Sequence, residues 1–210
     1  GFETAGFNCV FSSEFDKFAQ KTYQENFGES PHGDITLINE NDIPKFDILL
    51  AGFPCQPFSN AGLKLGFDDI RGTLFFHIAR IIKHHKPKII FLENVKGLKS
   101  HNKGNTFRII KQTLENLGYN IFSKIINAKD FGVPQNRRRL ILVGTLSEKT
   151  FEFPQGTTLL QGEKVTCREA ISDLPEQSVE DGSSYRTSPE SHYQNLMREF
   201  SSGIFNHTIT

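Results

Sequence analysis

The spacing of apolar positions alternates between a helical period and short continuous runs. Phe15, Phe18, Ala19, Thr22, Tyr23 and Phe27 fall on one side of a helix predicted from Asp16 to Phe27, with Gly28 as its stop. Cys9 to Ser13 ahead of it reads as a strand, Gly33 to Thr36 as a short strand end, and Asn39 to Lys45 as a loop. Phe46 to Ala51 is a compact apolar run, predicted as a buried strand. Phe75, Ile78, Ala79 and Ile82 mark a helix from Arg71 to His85 that stops before Pro87. Lys88 to Leu92 is continuously apolar after its first residue, as in a strand buried on both faces. Phe107, Ile110, Leu114 and Leu117 predict a further helix ending at Gly118, and Tyr119–Asn127 and Leu140–Thr145 predict two more strands. Strands alternating with helices define an α/β sheet. After Thr145 the signal fades: Val165 to Leu174 holds a short helix, and Glu176 to Gly203 reads as irregular or mobile.

The strand ending at Ala51 runs into Gly52-Phe53-Pro54-Cys55-Gln56-Pro57-Phe58-Ser59. Pro54 and Pro57 fix their own φ and push Phe53 and Gln56 toward extended backbone, so no helix begins there. Cys55 is thus placed on a stiff turn at the C-terminal edge of a sheet, where open α/β folds put their chemistry. A small buried hydrophobe is the competing reading of a free cysteine. The long connection from Ser59 to Ile70, with Gly62 and Gly66, reads as a lid or as an ordinary surface loop.

Composition narrows the class. With 210 residues the chain suits one globular domain with a sizeable core. No apolar run reaches the roughly 18 residues of a membrane span, and Gly1-Phe2-Glu3-Thr4 is no secretory leader, so a cytoplasmic protein is expected. Three widely spaced cysteines, Cys9, Cys55 and Cys167, argue against a disulfide framework or zinc knuckle. The seven histidines form no metal set, and His84-His85 suits the solvated end of a helix. The 24 basic and 24 acidic residues cancel, so net charge offers no argument for nucleic acid, although a local basic cleft remains compatible with it.

Gly-Phe-Pro-Cys-Gln-Pro-Phe-Ser resembles the nucleophile motif of the DNA cytosine-5 methyltransferases. Gly33-Asp34-Ile35, Glu93-Asn94-Val95 and Gln135-Asn136-Arg137-Arg138-Arg139 resemble further motifs of that family in the right order, and Glu14 matches its cofactor-side acid. The resemblance runs from Gly1 to about Gly144. It implies a Rossmann-like methyltransferase fold with a mostly parallel sheet and helices on both faces. No Gly-rich turn follows a first strand, so that strand is expected to be missing. Residues 1–150 are expected to be the catalytic core, and 151–210 an extension toward a target-recognition region.

By this resemblance Cys55 is a thiolate that adds to C6 of cytosine, a covalent route that splits a hard methylation into easier steps. Glu93 shares a proton with N3, and Arg139, with Arg137 second, holds the carbonyl oxygen as charge builds on the ring. S-adenosylmethionine is the implied cofactor, with Glu14 on its ribose, Asp34 and Ile35 on its adenine, Phe15 stacked on the purine and Pro54 beside it. Phe53, Gln56, Ser59, Asn94 and Val95 are the implied substrate contacts, and the cytosine must be flipped out of the duplex. Implied partners are double-stranded DNA and a cognate restriction endonuclease; a monomer without metal is expected. Each residue also has a plainer reading: Glu93 a solvated strand-end acid, the arginine run a nonspecific phosphate contact, and Glu14 or Asp16 a helix-start acid. A tRNA cytosine-5 methyltransferase shares the Pro-Cys and Glu-Asn-Val motifs. A non-catalytic nucleic-acid-binding paralogue or fragment is a second alternative. A cysteine hydrolase would need a histidine partner at a strand end, and none is placed there.

Overall fold

The computed structural model describes residues 1–54, 74–148, 150–157, 164–174, 184–185, 187–199 and 204–205. Cys55, Gln56, Ser59 and the connection from Ser59 to Ile70 lie outside the described residues. The chain divides into two compact units, Gly1–Ile125 with Arg139–Glu152, and Ile126–Arg138 with Phe153–Thr210.

The main sheet has four strands, β1 (Ile48–Gly52), β2 (Ile89–Val95), β3 (Asn120–Asn127) and β4 (Arg138–Thr145), in the order β1-β2-β4-β3. β1 and β2 are parallel, joined by a crossover that contains the helix Leu74–His85, here α2; β2 and β4 are antiparallel. The α/β architecture holds, but the described sheet is mixed rather than mostly parallel. A crossover helix is what permits the first pairing, whereas β4 runs back along β2.

Alternation along β2 and β4 decides what each face carries. Ile90, Leu92, Leu140 and Leu142 point to one face and are almost fully buried. There they join Phe75, Ile78 and Ile82 of α2 and Ile110 and Leu114 of the helix Asn105–Asn116, α3, in one core. Tyr119 is buried at its edge and donates its hydroxyl proton to the Pro87 carbonyl at 2.6 Å. Burial pushes that phenol up to about 12. On the other face Phe2 packs edge-on against Phe91 at 5.7 Å.

The first helix, α1 (Lys17–Phe27), begins where Asp16 accepts from the Ala19 N–H and ends at Gly28, whose φ of 74° needs no Cβ. Cys9–Ser13 is not a strand: it makes a single parallel bridge, Ser13 to His32. Gly33–Thr36 likewise forms a bend and turn rather than a strand end.

Within the second unit, helices Cys167–Ile171 and His192–Arg198 each start in a reciprocal capping box, Thr166 with Glu169 and Ser191 with Gln194. The second helix occupies a stretch expected to be irregular. An Asp173–Arg198 ion pair and a 2.5 Å hydrogen bond from the Ser191 hydroxyl to the Glu169 carbonyl join the two.

Candidate active site

β1 and β2 are in parallel register with Gly52 beside Glu93, so Gly52-Phe53-Pro54 and the candidate acid lie at one edge of the sheet. Across β2 and β4, Glu93 faces Ile141 and Val95 faces Arg139. Directly opposed residues share a face, so Glu93 and Arg139 are diagonal neighbours on one surface. They form an ion pair, Nε to Oε1, at 2.7 Å, with both side chains partly open to solvent. Gly52 lies beside the second Glu93 oxygen, which would stand 3.8 Å from a Cβ at that position, an ordinary contact distance.

Asn94 points the opposite way. It is 2% exposed, donates from Nδ2 to the Phe53 carbonyl at 2.7 Å and accepts from the Val95 N–H at 2.9 Å. The bond to Phe53 ties the end of β1 to the end of β2. Phe53 is also directed inward, 7% exposed and against Phe75. Pro54 and Val95 remain exposed at the edge.

Arg137 and Arg139 belong to different units. Arg137 is exposed, and its carbonyl accepts from the Ala128 N–H at 3.0 Å. Beside it Asn136 accepts from Asn127 Nδ2 at 2.9 Å, which shapes the turn carrying these residues.

A second cluster lies at the Ser13–His32 bridge. Because that pairing is parallel, Glu14 and Asp34 both follow it out of the same edge. The Glu14 N–H donates to the His32 carbonyl at 2.8 Å, and the Ser13 hydroxyl donates to the Gly33 carbonyl at 2.6 Å. Glu14 lines an open cleft of about 620 Å³ with Ser12, Ser13, Tyr23 and Phe27. One of its oxygens accepts from the Asp16 N–H at 3.0 Å. The Thr36 N–H, followed by the Thr36 hydroxyl, holds the Asp34 carboxyl below its ordinary value. Phe15 is 71% exposed, presenting a ring face to solvent.

Arg80 gave no signal in the hydrophobic pattern except as a charge inside the apolar run Ile78-Ala79-Arg80-Ile81-Ile82. It fastens the chain that follows Asp34. One arm donates to the carbonyls of Ile35 at 2.8 Å and Ile38 at 2.6 Å, and the other pairs with Glu40. Glu40's own N–H, then the Arg80 guanidinium, holds its carboxyl below the usual range. Burial, and then the charge of Arg80, depresses the neighbouring His77 imidazole.

Among the described residues no three His, Cys, Asp or Glu side chains are grouped to hold a metal, and no helix is long and apolar enough to cross a membrane.

A profile of the C-5 cytosine-specific DNA methylases matches residues 1–207. The chain is 54% identical over 183 residues to the type II methyltransferase M.SsoII of Shigella sonnei, covering 85% of this chain and 46% of that protein. It is 57% identical to M.HaeII of Haemophilus aegyptius over 74% of this chain and 49% of the relative. It thus spans about half the length of these curated relatives. Among solved structures, a putative DNA modification methyltransferase encoded within an E. coli prophage superposes with a TM-score of 0.61 at 23% identity, over 84% of this chain and 53% of that one. The Dnmt2 methyltransferase of S. pombe does so at 0.57 and 22%, over 85% and 56%; both share the fold. By that profile, which spans nearly all of it, the chain belongs to the C-5 cytosine-specific DNA methylase family.

Proposed function

We propose that the protein transfers a methyl group to C5 of a flipped-out cytosine in duplex DNA through a covalent bond between Cys55 and C6. The observation that carries this reading is the Glu93–Arg139 pair at the sheet edge where Gly52-Phe53-Pro54 leads, in sequence, to Cys55. Addition of the Cys55 thiolate to C6 makes C5 nucleophilic. Glu93 shares a proton with N3, and Arg139 offsets negative charge at the carbonyl oxygen. C5 gains the methyl group and loses its proton to solvent, and the thiolate leaves as the C5–C6 double bond returns. Arg137 is a second cation for the base or its phosphates.

The residues at the Ser13–His32 bridge fit S-adenosylmethionine, which supplies an electrophilic methyl group when bound. Glu14 has an oxygen for the ribose hydroxyls, Asp34 is held as an anion able to accept from an adenine amino group, Ile35 flanks it, and Phe15 offers an exposed ring for stacking. The relatives' type II designation supports a restriction–modification setting, with a cognate endonuclease as functional partner.

Duplex DNA carrying 5-fluorocytosine tests the reading, because fluorine at C5 cannot leave as a proton does. The intact protein with methyl donor should give a denaturant-resistant complex that Cys55→Ser abolishes. Trapping on a tRNA analogue but not on DNA of varied sequence would overturn the DNA assignment.

A further inference from the structure

Between Glu93 and Glu115 the chain carries no carboxylate, yet Lys96, Lys99, Lys103, Arg108 and Lys111 all fall in that interval. A chain of zero formal net charge therefore has a locally cationic stretch beside its candidate acid. β2 ends at Val95, and the chain passes at once into two tight turns, Lys96–Lys99 and His101–Gly104. Three residues of extended chain reach at most about 10 Å, so Lys96 stands at the shoulder of Glu93. Lys111 faces Glu115 at 3.5 Å, and Arg108 donates to Asn105 and Gln112. Lys96, Lys99 and Lys103 are exposed, and among the described residues none of the three has a carboxylate partner.

The segment is pinned from beneath. Leu98 is fully buried in the core, and His101 Nδ1 meets the hydroxyl of buried Thr106 at 2.7 Å. The Lys99 ammonium lies 5.8 Å from the centre of the Phe107 ring. Between these anchors Asn102 and Lys103 take left-handed backbone, with φ of 49° and 55°, a conformation rare for residues with a Cβ. Cations carried on a fixed backbone lose less freedom when they meet a polyanion than cations on a loose loop.

We propose that Lys96, Lys99 and Lys103 form a phosphate-docking shoulder for duplex DNA flanking the target cytosine, an inference that rests on the DNA reading above. Three ammonium groups spread over eight residues suit a run of backbone phosphates better than one small anion. The contact positions the duplex against the Glu93 edge without reading its sequence.

The test is the salt dependence of duplex binding by the intact protein, compared with a Lys96→Gln/Lys99→Gln/Lys103→Gln variant. Each phosphate contact contributes about 0.9 to the slope of log affinity against log salt, so the variant should lose about 2.7 from that slope if all three engage. The loss should be equal for duplexes of any sequence, and the corresponding triple Lys→Arg variant should keep the wild-type slope. An unchanged slope in the glutamine variant overturns the inference while leaving the methyltransferase reading intact. Absence of fluorocytosine trapping by the wild type overturns that reading, and the shoulder with it.

Discussion

Arg139 reaches diagonally across two antiparallel strands to Glu93, and the pair stands on the face of the sheet opposite Leu92 and Leu140. A partly exposed pair of this kind contributes at most about 1 kcal/mol to stability. Glu93→Gln is therefore expected to melt within a few degrees of the wild type. Methyl transfer should fall by roughly 10²–10⁴-fold, the range for a lost proton-transfer group. Parallel thermal melts and single-turnover rates check this; a large drop in melting temperature would reassign Glu93 to the fold.

Asn94→Ala should behave differently. It leaves the Phe53 carbonyl without its donor inside the core, costing about 1–3 kcal/mol. Because Phe53 immediately precedes Pro54-Cys55 in the chain, the rate of covalent trapping should fall too. Urea unfolding and trapping kinetics on the same samples measure both effects.

Removing the Arg80 guanidinium should loosen the chain beyond Asp34. Arg80→Met is expected to cost about 1.5–3 kcal/mol, the range for hydrogen bonds to a charged group. It should also raise the KM for S-adenosylmethionine more than it lowers kcat. The Glu40 carboxyl is held below its unfolded value, so the unfolded chain binds more protons across that window. The contribution is present above the unfolded carboxylate pKa and is lost as pH falls through the folded one. Acid titration of stability should show a smaller loss in Arg80→Met than in the wild type.

Gly144 tests the core. A Cβ placed there would stand 2.5 Å from Ile90 Cγ1 and 2.9 Å from Ile121 Cδ1, so Gly144→Ala should cost roughly 1–3 kcal/mol by overpacking. Ile90→Val should recover part of that loss in the double variant, because the two positions share the same space. Strict additivity of the two changes in denaturation experiments would contradict the close approach.

Much of this arrangement was readable from residue spacing. The helical runs ended where Gly28 and Gly118, with φ of 74° and 96°, supply left-handed backbone. β2 extends past its apolar run because Glu93, Asn94 and Val95 continue the ladder against Ile141, Leu140 and Arg139. The helix His192–Arg198 was missed because its signal is a polar capping box, not a hydrophobic stripe. Cys9–Ser13 has strand-like residues but pairs at only one point. Arg80 was invisible as a functional element because its partners are backbone carbonyls some forty residues away, which leave no mark on local periodicity.

The alternation along β2 and β4 separates two kinds of selective constraint through the thickness of one sheet. Ile90, Leu92, Leu140 and Leu142 answer to packing, whereas Glu93 and Arg139 answer, in the function proposed above, to chemistry. Substitutions at Glu93 and Arg139, unlike any at the buried Val143 on the same face, can thus accumulate in a lineage with little effect on folding. On the function proposed above, a descendant with those two side chains replaced would keep nearly the same shape, and only a reaction would tell the two apart.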